Sequence, residues 1–389
     1  MSKNYLDITD FSLCENNNGF LVGNGLKNMC GIIHTDIVAT NLVRVKDKYF
    51  YKSDKYIYTL KDNRLLYFAP ISFASPPTFA HFDYGQERIT VVGSSNNGII
   101  MQKSVTSQTY LCVNLVVNCN GALFSAKGRS LYFSNSTDQT IPFNDLETES
   151  LIIDSKYGEI KKLAVVDSDL FVICENGVIK VNYQGDLSSL KLTSTPIKCL
   201  PESVAQVDNG LVYYRNGAFY YYNGTEKLIT DVSSYEFNID FAEEYKDSYI
   251  ASVTYPNGNT GIFTYSKGEY GLKNLVTYKY VGDGYVFDSL CNKVGILSDQ
   301  SDLFSLSSVG SIVIKNVNVL GEKEVILESI EGYGKNTNVD VKVISNGKIR
   351  CANLLNKSKL MIKGKSFSFE LKSKGIVHVD KIRLIYKEI

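Results

Sequence analysis

The chain has 389 residues, 44% of them hydrophobic, so it can bury a core, and its length predicts more than one domain. Lysine plus arginine and aspartate plus glutamate both number 41, giving a formal net charge of zero. That balance argues against a general nucleic-acid binder, which needs clustered positive charge, and no apolar run approaches the ~18 residues of a membrane-spanning helix.

The 27 Tyr and 19 Phe, with no Trp, favour half-buried pleated surfaces and so strands. The N-terminus, MSKNYLDITDF, has no apolar leader core, which predicts synthesis in a cytoplasm without general secretion. The first 45 or so residues are assigned to a docking or ring-closing segment, with Tyr5 to Ile8 the candidate to complete the last blade of a ring. Short apolar-aromatic runs then come in pairs around tight turns. The pairs are 48–51 with 56–58, 88–92 with 99–101, 122–126 with 131–133, 170–173 with 178–181, 211–214 with 218–222, 249–253 with 261–265, and 294–297 with 303–306. Asn-Gly and related turns, as at Asn216-Gly217, supply the left-handed backbone that a two-residue hairpin needs.

A repeat near ~40 residues with about four strands in each is the signature of a β-propeller, because one such sheet cannot bury both faces alone. The expected fold is therefore all-β: a six- or seven-bladed propeller over residues 1–306, then a small β-sandwich over 311–389. Two stacked sandwiches are the alternative architecture. Ser307 to Gly310 reads as the linker. Beyond it the strands lengthen and alternate: 311–319, 324–329, 339–344, 359–362, 366–371 and 378–386. Phe367, Phe369 and Leu371 share one face, and Ile382, Leu384 and Tyr386 another.

The chemistry-bearing residues are sparse. Eight cysteines (14, 30, 112, 119, 174, 199, 291 and 351) form no C-x-x-C pair and mostly sit in apolar runs, which predicts buried reduced thiols. His34, His81 and His378 are far apart, so neither a histidine triad nor a metal site is predicted. Asp240, Glu243, Glu244 and Asp247 form an acidic run. A propeller glycosidase would need two carboxylates facing each other across a sugar, and the run is read instead as a solvated loop. The acid pairs Asp167/Asp169 and Asp299/Asp302 read as turn formers. Tyr213, Tyr214, Tyr220, Tyr221 and Tyr222 form the densest aromatic patch. They are the candidate interaction surface, against a reading in which one tyrosine face packs between blades.

Two stretches carry a resemblance. The first runs from Asn120 to Asn135, through Pro142-Phe-Asn-Asp145 and Gly158 to Lys180, to Asp208 through Gly224. The second is Leu360 to Lys372 with Val379 to Tyr386. The first resembles the β-propeller proteins of tailed-phage particles, of the hub, nozzle and neck type, and the second resembles the terminal β-domain that follows such propellers. The resemblance implies a non-enzymatic structural protein of a virion. It would have no cofactor, metal or catalytic residue, and would dock on portal, connector or tail subunits without reading nucleic-acid sequence. The alternatives are an adhesin gripping a host receptor or glycan through the tyrosine patch and, third, a propeller glycosidase using the acidic run.

Overall fold

The computed structural model describes residues 4–12, 14–53, 56–69, 77–84, 87–93, 98–102, 105–109, 115–133, 150–183, 190–298, 310–373 and 375–389. Contacts divide the chain into two compact units. One combines residues 1–35, 257–280 and 295–389, and the other 36–256 with 281–294. The N-terminal strands thus group with the C-terminal ones, where the sequence reading cut the chain once, between 306 and 311.

The unit built on residues 36–256 repeats a single plan of four-stranded antiparallel meanders with strands in chain order. The first sheet is Leu42–Lys46, Tyr49–Lys52, Ile57–Lys61 and Arg64–Ala69; the second is Thr78–Tyr84, Glu87–Gly93, Gly98–Gln102 and Val105–Thr109. The third is Leu115–Cys119, Ala122–Lys127, Ser130–Phe133 and Ser150–Ile152; the fourth is Ile160–Val166, Asp169–Cys174, Gly177–Asn182 and Lys191–Ser194. The fifth is Ala205–Val207, Gly210–Arg215, Ala218–Tyr222 and Glu226–Asp231, and the hairpin Asn238–Tyr245 with Ser248–Thr254 opens the sixth. The segment 281–294 adds the strand Tyr285–Asp288, with residues of the strands before and after it, to a seventh sheet. The expected partner of 294–297, residues 303–306, lies outside the described residues, as do Asp299 and Asp302.

Turn chemistry explains the meander. Asn120 and Gly121 (φ 50° and 78°), Asn216 and Gly217 (49° and 83°) and Asp283 and Gly284 (48° and 77°) all take the left-handed conformation that such turns demand. Apolar side chains then pack sheet on sheet. Phe124, Phe133 and Leu131 of the third meet Leu170, Val172 and Val181 of the fourth. Phe171 and Ile173 of the fourth meet Leu211 and Tyr213 of the fifth. Val281, Phe287 and Val294 meet Leu42, Val45 and Phe50 of the first, returning the series to its start. Between the fifth and sixth, the buried Tyr249 donates its hydroxyl to the Ser203 carbonyl at 2.6 Å, and its ring meets Phe219 edge-on. Consecutive small antiparallel sheets packed face to face make this unit a β-propeller.

The other unit holds the strands Thr260–Ser266, Glu269–Asn274, Phe20–Gly23, Gly25–Asn28 and His378–Val379, hydrogen-bonded in that order, and two further sheets. One has the order Asn4–Ile8, Lys381–Glu388, Val325–Tyr333, Ser358–Gly364. The other runs Glu15–Asn18, Ser311–Asn318, Ser366–Ser373, Val339–Ser345, Lys348–Asn353. The alternation expected beyond 311 is present in part: Phe367, Phe369, Leu371, Ile382 and Leu384 are buried and their strand neighbours are half-buried or exposed except Ile385, which is buried too, while Tyr386 is only half-buried. The segment Tyr5 to Ile8 pairs with 382–385 in the first of these sheets and not with a blade. Asp7 explains the choice: Arg383 clamps its carboxylate through Nε at 2.7 Å and Nη2 at 2.8 Å, and Lys381 adds a third donor at 3.0 Å.

Candidate functional site

The first strands of successive propeller sheets converge on a cavity of about 550 Å³. Arg44 and Lys46 come from the first sheet, Thr78 and Phe79 from the second, Val117 and Asn118 from the third, and Lys162 from the fourth. Gln206 comes from the fifth sheet, and Glu243 and Glu244 from the sixth. Strand alternation does the placing. Lys161 and Lys162 are sequence neighbours, but Lys161 points out to Glu159 and Glu175, while Lys162 turns inward.

Lys162 Nζ donates to the Ala242 carbonyl at 2.6 Å. Removal from bulk water pushes its pKa down to about 7, with Arg44 and Lys46 adding repulsion that Glu243 and Glu202 partly offset. The Arg44 guanidinium lies 5.0 Å from the centre of the Phe241 ring. Glu243 is buried at 6% exposure and accepts the Asp283 backbone N–H at 2.5 Å. Three cationic side chains, each half-buried, are therefore gathered in one cavity with the carboxylates of Asp167, Glu243 and Glu244.

The acidic run read from sequence as a solvated loop is a strand, Asn238–Tyr245, with only Asp247 in the following turn. Its members part company. Glu243 and Glu244 line the cavity, Asp240 accepts hydrogen bonds from Ser252 and Thr254 Oγ at 3.2 and 2.8 Å, and Asp247 N–H caps back to Glu244 at 3.0 Å. The sequence reading missed Arg44, Lys46 and Lys162 altogether. A pair of lysines inside the apolar run Ile160 to Val166 was the available signal.

The tyrosine patch is the paired strands Gly210–Arg215 and Ala218–Tyr222, with Tyr213 opposite Tyr220 and Tyr214 opposite Phe219. Tyr213 is fully buried and so contributes nothing to a surface, while Tyr214, Tyr220, Tyr221 and Tyr222 are half-buried. Tyr213 stacks on Tyr220 at 5.7 Å and donates its hydroxyl to Glu226. Arg215 grips the same carboxylate with two bonds, at 2.7 and 3.0 Å, and covers the Tyr220 ring at 4.4 Å. The Arg215 bonds hold the Glu226 carboxyl below the usual range, and burial first, then Glu226, raises the Tyr213 phenol far above it. Tyr222 lines a separate cavity of about 190 Å³ with Asp167, Asp169, Lys180 and Asn209. Asp167 sits at positive φ in its turn, and Asp169 pairs with Lys180 at 2.5 Å.

The histidines are placed apart: His34 against Tyr278 Oη at 2.8 Å, His81 against Asp47 at 2.5 Å, and His378 near Asp380 at 3.2 Å. Among the described residues no group of three or more His, Cys, Asp or Glu is placed to hold a metal ion. Seven described cysteines are free thiols. Cys119 and Cys174 are buried as expected, but Cys291 and Cys351 are exposed, because Cys291 falls in a turn and Cys351 on an edge strand. Cys112 lies outside the described residues.

No family model matches the chain, and no curated protein does. Among solved structures it is similar to the extracellular domain of a hybrid two-component system from B. thetaiotaomicron. The TM-score is 0.44 at 10% identity over 84% of this chain, which spans about half (47%) of that one. It is also similar to BamB from Moraxella catarrhalis, with TM-score 0.38 and 9% identity over 70% of this chain and 98% of that one. A third is the Cps50 (Swd1) β-propeller domain of Myceliophteria thermophila, with TM-score 0.35 and 11% identity over 64% and 99% of the two chains.

Proposed function

We propose that the chain is a non-enzymatic structural component of a tailed-phage particle that docks on portal, neck or tail subunits. The observation that supports docking is the outer strand of the propeller sheets. In the four of the first five sheets whose outer side chains are described, that strand exposes large apolar residues. They are Leu66 and Tyr67 (44% and 54% exposed), Ile152 (68%), Leu192 (45%) and Leu228 (61%). Outer strands also carry a row of backbone groups with no further strand beside them, so apolar side chains there invite either aggregation or a partner. The choice of a virion as the setting rests on the sequence resemblance described above. A docked face of the usual kind would bury about 1,600 Å² in all, and repeated copies around a particle axis would add avidity.

The test is incorporation. A C-terminally tagged chain supplied in a host cell that is producing particles should sediment with them and be located at the neck or tail by labelled electron microscopy. A folded, soluble tagged chain that never enters particles overturns the proposal.

A further inference from the structure

We propose that the central propeller cavity binds a small oxyanion, an inorganic one or the carboxylate of an acidic sugar, through Arg44, Lys46 and Lys162. The three cations come from the first and fourth sheets and line one cavity of about 550 Å³, room for an ion or a monosaccharide-sized molecule. Arg44 and Lys46 are two residues apart on one strand, so their side chains leave the same face of the sheet. Lys162 approaches from another sheet and spends one donor on the Ala242 carbonyl, leaving two of an ammonium's three for a ligand.

Three cations that share one cavity repel one another, and an anion bound among them relieves that repulsion. The charged groups facing Lys162 are Arg44, Lys46, Glu202 and Glu243, and Glu244 and Asp167 also line the cavity. Glu243 is partly spent on the Asp283 N–H, and the summed environment still disfavours the charged amine, burial most and Arg44 next. A bound oxyanion reverses that balance, so ligand binding and protonation of Lys162 support each other. This inference is independent of docking in a particle, since the outer strands play no part in it.

Sulfate, which stays a dianion over the whole range, is the first probe, titrated calorimetrically into the full-length chain at about pH 6 and about pH 8. With Lys162 half-protonated near pH 7, the protonated fraction falls about tenfold between those values, and sulfate affinity should fall by about the same factor. Glucuronate, run in parallel, separates the sources: tighter binding than sulfate assigns the cavity to acidic sugars, and weaker binding to inorganic oxyanions. Lys162→Met should abolish the pH step and Arg44→Gln should weaken binding at both pH values while keeping it. Absence of saturable binding of both probes at pH 6, or an unchanged pH step in Lys162→Met, overturns the proposal. Should Lys162→Met fail to fold, ζ-¹⁵N lysine NMR on the unaltered chain decides. The Lys162 titration midpoint should move upward with saturating sulfate, and a stationary midpoint overturns the proposal.

Discussion

At the scale of single residues, burial and partners set the chemistry. The Asp7 carboxyl is held down to about 2, chiefly by its bonds to Arg383 and against the opposing effect of burial. A depressed carboxylate pKa stabilises the fold above the unfolded value near 3.8, and that contribution is lost as pH falls toward 2. Asp7→Asn should therefore cost about 1 kcal/mol at neutral pH and flatten the loss of stability between those two values, as followed by chemical denaturation at a series of pH values. The thiols offer a second test. Burial lifts Cys119 and Cys174 to about 11, so they should resist iodoacetamide at pH 8 until the chain is unfolded. Exposed Cys291 and Cys351 should be alkylated first, as read by mass spectrometry of the native protein. Early modification of Cys174 would contradict the buried strand Asp169–Cys174.

Among the elements, the hairpin of the fifth sheet is tied together by one carboxylate. Glu226 accepts from Arg215 and from the hydroxyl of Tyr213, and the latter side chain has no route to water. Glu226→Ala should destabilise the protein by about 1–3 kcal/mol, because a buried hydroxyl and a guanidinium lose their acceptor, whereas Glu226→Gln should lose less. The measurement is the midpoint in urea at constant slope. Outer-strand positions should behave oppositely: Leu228→Lys, at 61% exposure, should alter stability by no more than about 0.5 kcal/mol and yet reduce incorporation into particles. A folded Leu228→Lys variant that incorporates normally would remove that residue from the docking face.

For the whole molecule, the pairing of distant strands decides how the chain can be cut. Residues 4–8 pair with 382–386, residues 15–18 with 311–313, and Leu26 with Val379. Gly310 closes against Ser373 through two hydrogen bonds and packs so tightly on Phe20 that an added Cβ would fall 2.7 Å from its ring. A fragment ending at 306 loses all these partners and uncovers Phe20 and Leu26, both fully buried in the intact chain. It should aggregate and not form the self-contained propeller that the sequence reading placed over residues 1–306. Light scattering and a cooperative melt of fragment 1–306 decide between the two.

Much of the fold could be read along the chain because its cause is local. Hairpins written by Asn216-Gly217, by strand alternation and by a recurring turn residue at Asp47, Asn120, Asp167, Asp208 and Asp283 need only neighbours in sequence, and all five of those residues take positive φ. These turns precede the second strand of five propeller sheets, a regularity that would have located their first strands. The sequence by itself thus determined an all-β chain of small repeated sheets followed by longer alternating strands. It could not determine that Tyr5 to Ile8 joins the C-terminal strands, because that depends on Asp7 meeting Lys381 and Arg383 across more than 370 residues. Nor could it distinguish Lys162 from Lys161, or Glu243 from Asp240. Only the tertiary structure decided which alternating side chain faced a shared cavity and which faced water, because that depends on sheets far apart in sequence converging in space.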